Sequence, residues 1–134
     1  MTRFTAKKQK AIRSLAAEFE LELVILFGSY ARGKTHEKSD VDLAVLAPHE
    51  LSLKEFLVLQ RRLQEVVGIP VDLVDLKKVP VLLGDRITRD GKVIVGDTKI
   101  FSRLRSKLHI RYMDFQPIFQ RQQERLYKYF GVTP

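Results

Sequence analysis

The sequence predicts an α/β (α+β) domain, and three stretches carry that prediction. Leu23 to Phe27 reads LVILF, a short continuous apolar run that stops at Gly28, as a buried strand would. Ser52 to Val67 reads as an amphipathic helix. Ser52 and Glu55 form a capping box at its start, and Gly68 with Pro70 stops it. Val71 to Leu76, VDLVDL, returns at once to the strand pattern. Strands that alternate with helices pack as one sheet with helices against it.

The remaining elements follow in order. Ala6 to Glu20 places Ile12, Leu15, Ala16 and Phe19 on one helical face, with Thr5 as the cap. Val41 to Leu46 is a second strand with polar intrusions. Val79 to Thr88 reads as helix, and Lys92 to Val95 as a small strand after the Asp90-Gly91 turn. From Lys99 onward the pattern is helical, with an interruption expected at Pro117. There is no internal repeat, low-complexity segment or linker.

Composition bounds the function classes. A chain of 134 residues suits one domain and can bury roughly two-thirds of its unfolded surface. With 45% apolar and 30% charged residues it is expected to be globular. No apolar run has the length of a membrane span, so no membrane role is expected, and the N-terminus lacks the apolar stretch of a signal peptide. The absence of cysteine removes disulfides and thiolate metal sites and fits a cytoplasmic protein. The net charge of +8 is uneven. Residues 1–76 hold eleven basic and eleven acidic residues, which leaves thirteen and five for residues 77–134. That asymmetry suggests an acidic partner or nucleic acid near the C-terminal half, unless it is only a solvated helix face.

The stretch GSYARGKT, residues 28–35, has the spacing of a P-loop. A P-loop needs a long helix beginning at its Lys-Thr pair. Only His36 to Ser39 separate Thr35 from the next strand, and four residues cannot make that helix. The stretch reads better as Gly28-Ser29 opening a short helix that Gly33 ends. Gly28 then lets a ligand approach the backbone, and the amides at the helix start face a phosphate. The Ser29 hydroxyl adds a donor.

Two aspartates follow. Side chains alternate along a strand, so Asp40 and Asp42 share one face while Val41 and Leu43 share the other. At about 6.5 Å they repel by about 2.5 kcal/mol at an effective dielectric near 20. A purely structural strand gains nothing from that repulsion. A divalent cation reverses its sign, and an all-oxygen ligand set suits Mg²⁺ or Mn²⁺. In VDLVDL, Asp72 and Asp75 lie on opposite faces, so only one can join the pair. Asp72 is the choice: it sits in the strand interior, whereas Asp75 near the end can be satisfied by water, Lys77 or Lys78.

At these residues the chain resembles a known family. Gly28-Ser29, ten residues, then Asp40-x-Asp42 is similar to the signature of the DNA polymerase β-like nucleotidyltransferase superfamily. The length and VDLVDL resemble its minimal nucleotidyltransferases, commonly the antitoxin partners of HEPN-domain ribonuclease toxins. The resemblance implies a nucleotidyltransferase fold: a small mixed β-sheet flanked by helices, with a helical C-terminal segment. It implies a single domain over 1–134, with a catalytic core of about 6–96 and the helical segment at about 97–134. It also implies ATP as donor, two Mg²⁺ ions (Mn²⁺ possible) and a tyrosine of the HEPN toxin as acceptor of AMP. Asp40 and Asp42 would hold both ions and Asp72 one of them. Gly28, Ser29 and Arg32 would hold the phosphates. An enzyme acting on RNA or a small molecule, and a non-catalytic antitoxin, are the alternative readings.

In residues 99–130, arginines and lysines are interleaved with Tyr112, Phe115, Phe119, Tyr127 and Phe130. Arginine with aromatics is the composition of interface anchors, so this segment is expected to dock the partner protein, with direct nucleic-acid binding weak or absent. Tyr112, Phe115 and Phe119 also fit a core stripe. His36, His49 and His109 lack metal-ligand spacing and are expected at the surface. Lys34 is expected merely to line its loop.

Overall fold

A computed structural model describes residues 5–33 and 40–131. His36 and Lys34 lie outside the described residues. The elements are α1 (Ala6–Glu18), β1 (Leu23–Phe27), β2 (Val41–Leu46), α2 (Leu53–Val67), β3 (Val71–Asp75), α3 (Val81–Asp90), β4 (Lys92–Val95) and α4 (Thr98–Phe130). The strands form one mixed sheet in the order β3-β2-β1-β4. β1 runs antiparallel to both β2 and β4, while β2 and β3 are parallel. The mixed α/β architecture expected from the sequence is therefore present.

The alternation of each strand divides the core in two. Val24, Leu26, Val41, Leu43, Val45, Val71 and Leu73 face one side, where they pack with Ile12 and Leu15 of α1 and Leu59 and Leu63 of α2. Leu23, Ile25, Ala44, Leu46 and Leu76 face the other, against Ile87 of α3 and the half-buried Ile100, Phe101 and Leu104 of α4. At a typical 1.5–3 kcal/mol per buried aliphatic side chain, these two layers are what hold the sheet between its helices.

Local chemistry sets the ends. Ser52 and Glu55 complete the capping box of α2, and the Gly68 amide donates to Gln64 O to close it. Thr5 caps α1 by accepting from the Lys8 amide. That helix stops at Glu18 rather than Glu20, because Phe19 is its C-cap and Glu20 turns left-handed at φ 56°. α3 starts two residues later than the periodicity predicts. Pro80 forces Val79 toward extended backbone and takes the cap position itself, so the helix begins at Val81.

The expected break at Pro117 does not occur. α4 runs unbroken for 33 residues with Pro117 inside it. Proline removes one i→i−4 bond, here to the carbonyl of Met113, whose residue is 54% exposed, so water can serve the orphaned oxygen. Leu108 is the buried anchor of α4, held against Gly84 of α3. His109 beside it meets the buried Asp85, which also pairs with Arg89.

Candidate active site

The sheet register assembles the carboxylates. Asp42 on β2 is the Cα partner of Asp72 on β3, and across the sheet of Phe27, the last residue of β1. All three side chains belong to the face that α3 and α4 cover further along the strands. Asp40 precedes β2 by one residue and is exposed, Asp42 is half-buried, and Asp72 is exposed. Asp75 points the other way. It is 6% exposed and accepts from the amides of Leu51 at 3.1 Å and Lys77 at 3.0 Å, tying the start of α2 to the end of β3. It is thus the backbone of Lys77, not its ammonium, that satisfies this carboxylate. Lys78 instead donates to Leu51 O and pairs with Glu50.

The site is electrostatically strained without a cation. Partial burial raises the pKa of Asp42, and the neighbouring Asp72 and Asp40 raise it further. Arg32 pulls the other way, so its guanidinium lies within electrostatic reach of the Asp42 carboxylate.

Residues 28–33 form a single hydrogen-bonded turn rather than the short helix expected at Ser29. The Arg32 amide donates to Gly28 O at 3.2 Å and the Gly33 amide to Tyr30 O at 3.4 Å. Gly28 and Gly33 both have positive φ, 72° and 69°, which leaves only the four residues between them for right-handed backbone. Gly28 lies against Asp42: a methyl built on its Cα would collide with the Asp42 carboxylate. Ser29 follows, half-buried. On the α3 side of the turn, Phe27, Gly28, Arg32, Leu83, Arg86 and Asp90 surround a cavity of about 140 Å³. Arg86 is a candidate that sequence reasoning missed. Its only signal was a basic residue on a helix whose docking site depends on the tertiary fold.

The sequence profile of the family described as Polymerase beta, Nucleotidyltransferase matches residues 9–100. The chain belongs to the polymerase beta nucleotidyltransferase family. Among its relatives, the protein adenylyltransferase MntA of Shewanella oneidensis is 36% identical over 86 residues, a match that covers 62% of either chain. The protein adenylyltransferase MntA of Thermococcus cleftensis is 39% identical over 62 residues, covering 46% of this chain and 63% of that protein. Both matches span less than two-thirds of the relatives' own length. Among solved structures, a toxin–antitoxin with AMP-PNP superposes with a TM-score of 0.83 at 29% identity, over 88% of this chain and 97% of the other. A tri-AMPylated HEPN toxin of Shewanella oneidensis in complex with its MNT antitoxin gives 0.77 at 26%, over 89% and 95%.

A polymerase beta nucleotidyltransferase implies a divalent cation at this face, and the donor set fits one. Oxygen ligands, like-charge crowding and an acidic group held above its ordinary pKa all favour a hard cation. Among the described residues no three carboxylate or imidazole groups converge as a preformed cage. Mg²⁺ does not require one, because it is usually bound by one or two carboxylates with substrate phosphates and water.

The contact between Gly28 and Asp42 gives the first prediction. Gly28→Ala places a side chain at φ 72° and pushes the Asp42 carboxylate aside. It should cost about 1–2 kcal/mol of stability in thermal unfolding and reduce nucleotidyl transfer out of proportion to that loss. Unchanged activity would mean that Asp42 need not stay where the structure has it.

Proposed function

We propose that the chain is a Mg²⁺-dependent adenylyltransferase that moves AMP from ATP to a hydroxyl, a tyrosine in the first instance, of a HEPN ribonuclease toxin and so acts as its antitoxin. The observation that carries this reading is the placement of Asp42 beside Asp72 in register, with Gly28 against Asp42, on a strand end in a chain of the nucleotidyltransferase family. It is supported by relatives named protein adenylyltransferases and by the toxin–antitoxin structures to which the chain is similar.

Each residue has a part in this proposal. Asp40 and Asp42 would hold both divalent ions and Asp72 one of them, and the ions would offset phosphate charge in an in-line displacement. Asp72 stands beside them and takes the proton from the acceptor hydroxyl as it attacks the α-phosphorus. The bond from the α-phosphorus to its bridging oxygen breaks, and pyrophosphate leaves. Gly28 gives the β- and γ-phosphates close access to the backbone, Ser29 adds a hydroxyl donor, and Arg32 adds charge at the edge of the cavity. The core at about 6–96 carries this chemistry, and the helical segment at about 97–134 recruits the acceptor.

The test follows the label. With ATP labelled at the α-phosphate, the label should pass to the HEPN protein in the presence of Mg²⁺, and with γ-labelled ATP none should. Phosphate release without α-label transfer would refute the proposal. A transferase directed at RNA is the second reading, favoured by the basic excess of residues 77–134. It predicts α-label on RNA instead. A site that takes up ATP and Mg²⁺ but labels nothing would leave the chain a sequestering antitoxin.

A further inference from the structure

Among the described residues, most of α4 is exposed. Leu108 is its one buried residue, and of residues 121–130 all but the half-buried Tyr127 are exposed. Six of its apolar residues nevertheless share one stripe, while Ile110, Met113, Ile118 and Phe130 lie off it. Tyr112, Phe119 and Leu126 lie seven apart, and so do Leu108, Phe115 and Tyr129, with the polar Gln122 standing at one position of that series. Interleaved, the two series advance by alternate steps of four and three, the spacing of a helix–helix seam. Phe115 and Phe119 already meet along it, their rings tilted by 34° with centroids 6.1 Å apart. The stripe that buries Leu108 therefore continues outward along the helix. Exposed apolar surface is extensive there, with Leu126 at 56% and Tyr129 at 83%.

A second row runs beside the first, one position earlier at each turn. Lys107, Arg111, Arg121, Arg125 and Lys128 stand next to seam positions, and only Asp114 and Ile118 interrupt them. Residues 99–130 hold eight basic residues against Asp114 and Glu124. At its inner end the basic row enters a groove of about 370 Å³. Arg103, Lys107 and Arg111 of α4 line it together with Lys77, Leu46, Leu76 and one acidic residue, Glu22. That groove lies at the C-terminal ends of β2 and β3, the opposite end from Asp42 and Asp72.

We propose that this seam, from Tyr112 to Tyr129, docks a helix of the partner protein whose flanking positions are acidic. The partner's identity as the toxin rests on the adenylyltransferase reading above; the geometry of the seam does not. An apolar stripe with four-three spacing fits another helix, and a one-sided basic row selects acidic residues along one edge of that helix. A second copy of this chain fits poorly, because its own basic row would meet this one. With the groove at the inner end of the seam lying at the far end of the strands from the aspartates, the partner can remain docked while the site stays open. Tethering then raises the effective concentration of its acceptor hydroxyl.

The test uses the full chain and its cognate HEPN protein. Two variants change only exposed residues to which no part in the chemistry is assigned: Leu126→Ser with Tyr129→Ser, and Arg121→Glu with Arg125→Glu and Lys128→Glu. The apolar pair should speed dissociation at least about tenfold, the signature of a lost contact core. The charge reversal should slow association at low salt by about tenfold or more and flatten its salt dependence. Both variants should bind ATP with Mg²⁺ as the unaltered chain does. Wild-type affinity in both variants, with α-label transfer intact, overturns the seam and leaves the adenylyltransferase reading standing. Absence of any α-label transfer by a complex that the variants do weaken overturns that reading and leaves the seam. A self-dimer, or tight binding to an RNA oligonucleotide or to anionic vesicles, lost in the same variants, would show that the seam has a different occupant.

Discussion

Asp42→Asn should abolish nucleotidyl transfer and, in the absence of metal, make the protein more stable. The two effects have one cause. Asp42 is crowded by Asp72 and Asp40 and partly buried, so its carboxyl titrates above the ordinary value of 3.8. A raised folded-state pKa means that the folded chain binds the proton more tightly than the unfolded chain does. The penalty is absent below the unfolded value and grows as pH rises through the folded one. At pH 7 the ionised group therefore costs stability, and an amide of the same shape removes that cost. The metal-free variant should melt above the unaltered protein at pH 7, since a gain in stability raises Tm. The difference should shrink as pH falls toward 4. Added Mg²⁺ with ATP should reverse the order, because it stabilises only the chain that keeps the carboxylate. Transfer should fall by about 10³-fold or more, as loss of several kcal/mol of transition-state charge stabilisation requires. A variant that melts lower without metal, or that keeps activity, would show that Asp42 is not a frustrated metal ligand.

The sequence made the strands legible because each is a short run whose apolar positions face a core. The same alternation puts Asp42 on the face opposite Val41 and Leu43. What it did not show depends on contacts made by the folded chain. The turn at Gly28 reads as a helix start in the sequence, since a glycine-serine pair after a strand does not reveal that Gly33 is also left-handed so soon afterwards. The continuity of α4 through Pro117 was hidden for a related reason. The local rule counts the lost hydrogen bond but not the exposure of the carbonyl that loses it. The work of Asp75 was out of reach, because its donor at Leu51 is 24 residues away and meets it only when α2 folds back along β3. Arg86 joined the candidate site by the same kind of long-range placement. In each case local pattern gave the element, and tertiary packing gave the side chain its surroundings.

The two aspartates of β3 are the sharpest test of how the site is built, because they are three residues apart on opposite faces, one proposed for the chemistry and one holding the fold. Asp72 shares the open face with its register partner Asp42, where no hydrogen bond of the fold depends on it among those described. Asp72→Asn should leave Tm near that of the unaltered protein and cut α-label transfer by about 10²-fold or more, the contribution of a positioned proton acceptor. Asp75 is buried and holds the amides of Leu51 and Lys77. Asp75→Ala leaves the Leu51 amide without its acceptor, which should cost about 1–3 kcal/mol of stability. Transfer by the fraction that remains folded should stay within a few-fold of normal. Asp75→Asn keeps an acceptor oxygen and should recover part of the lost stability. The decisive comparison is activity per folded molecule, measured well below the melting temperature of the weakest variant. If Asp75→Asn were inactive while folded and Asp72→Asn active, the face that carries the chemistry would be the one toward α2, and the proposed site would be on the wrong side of the sheet.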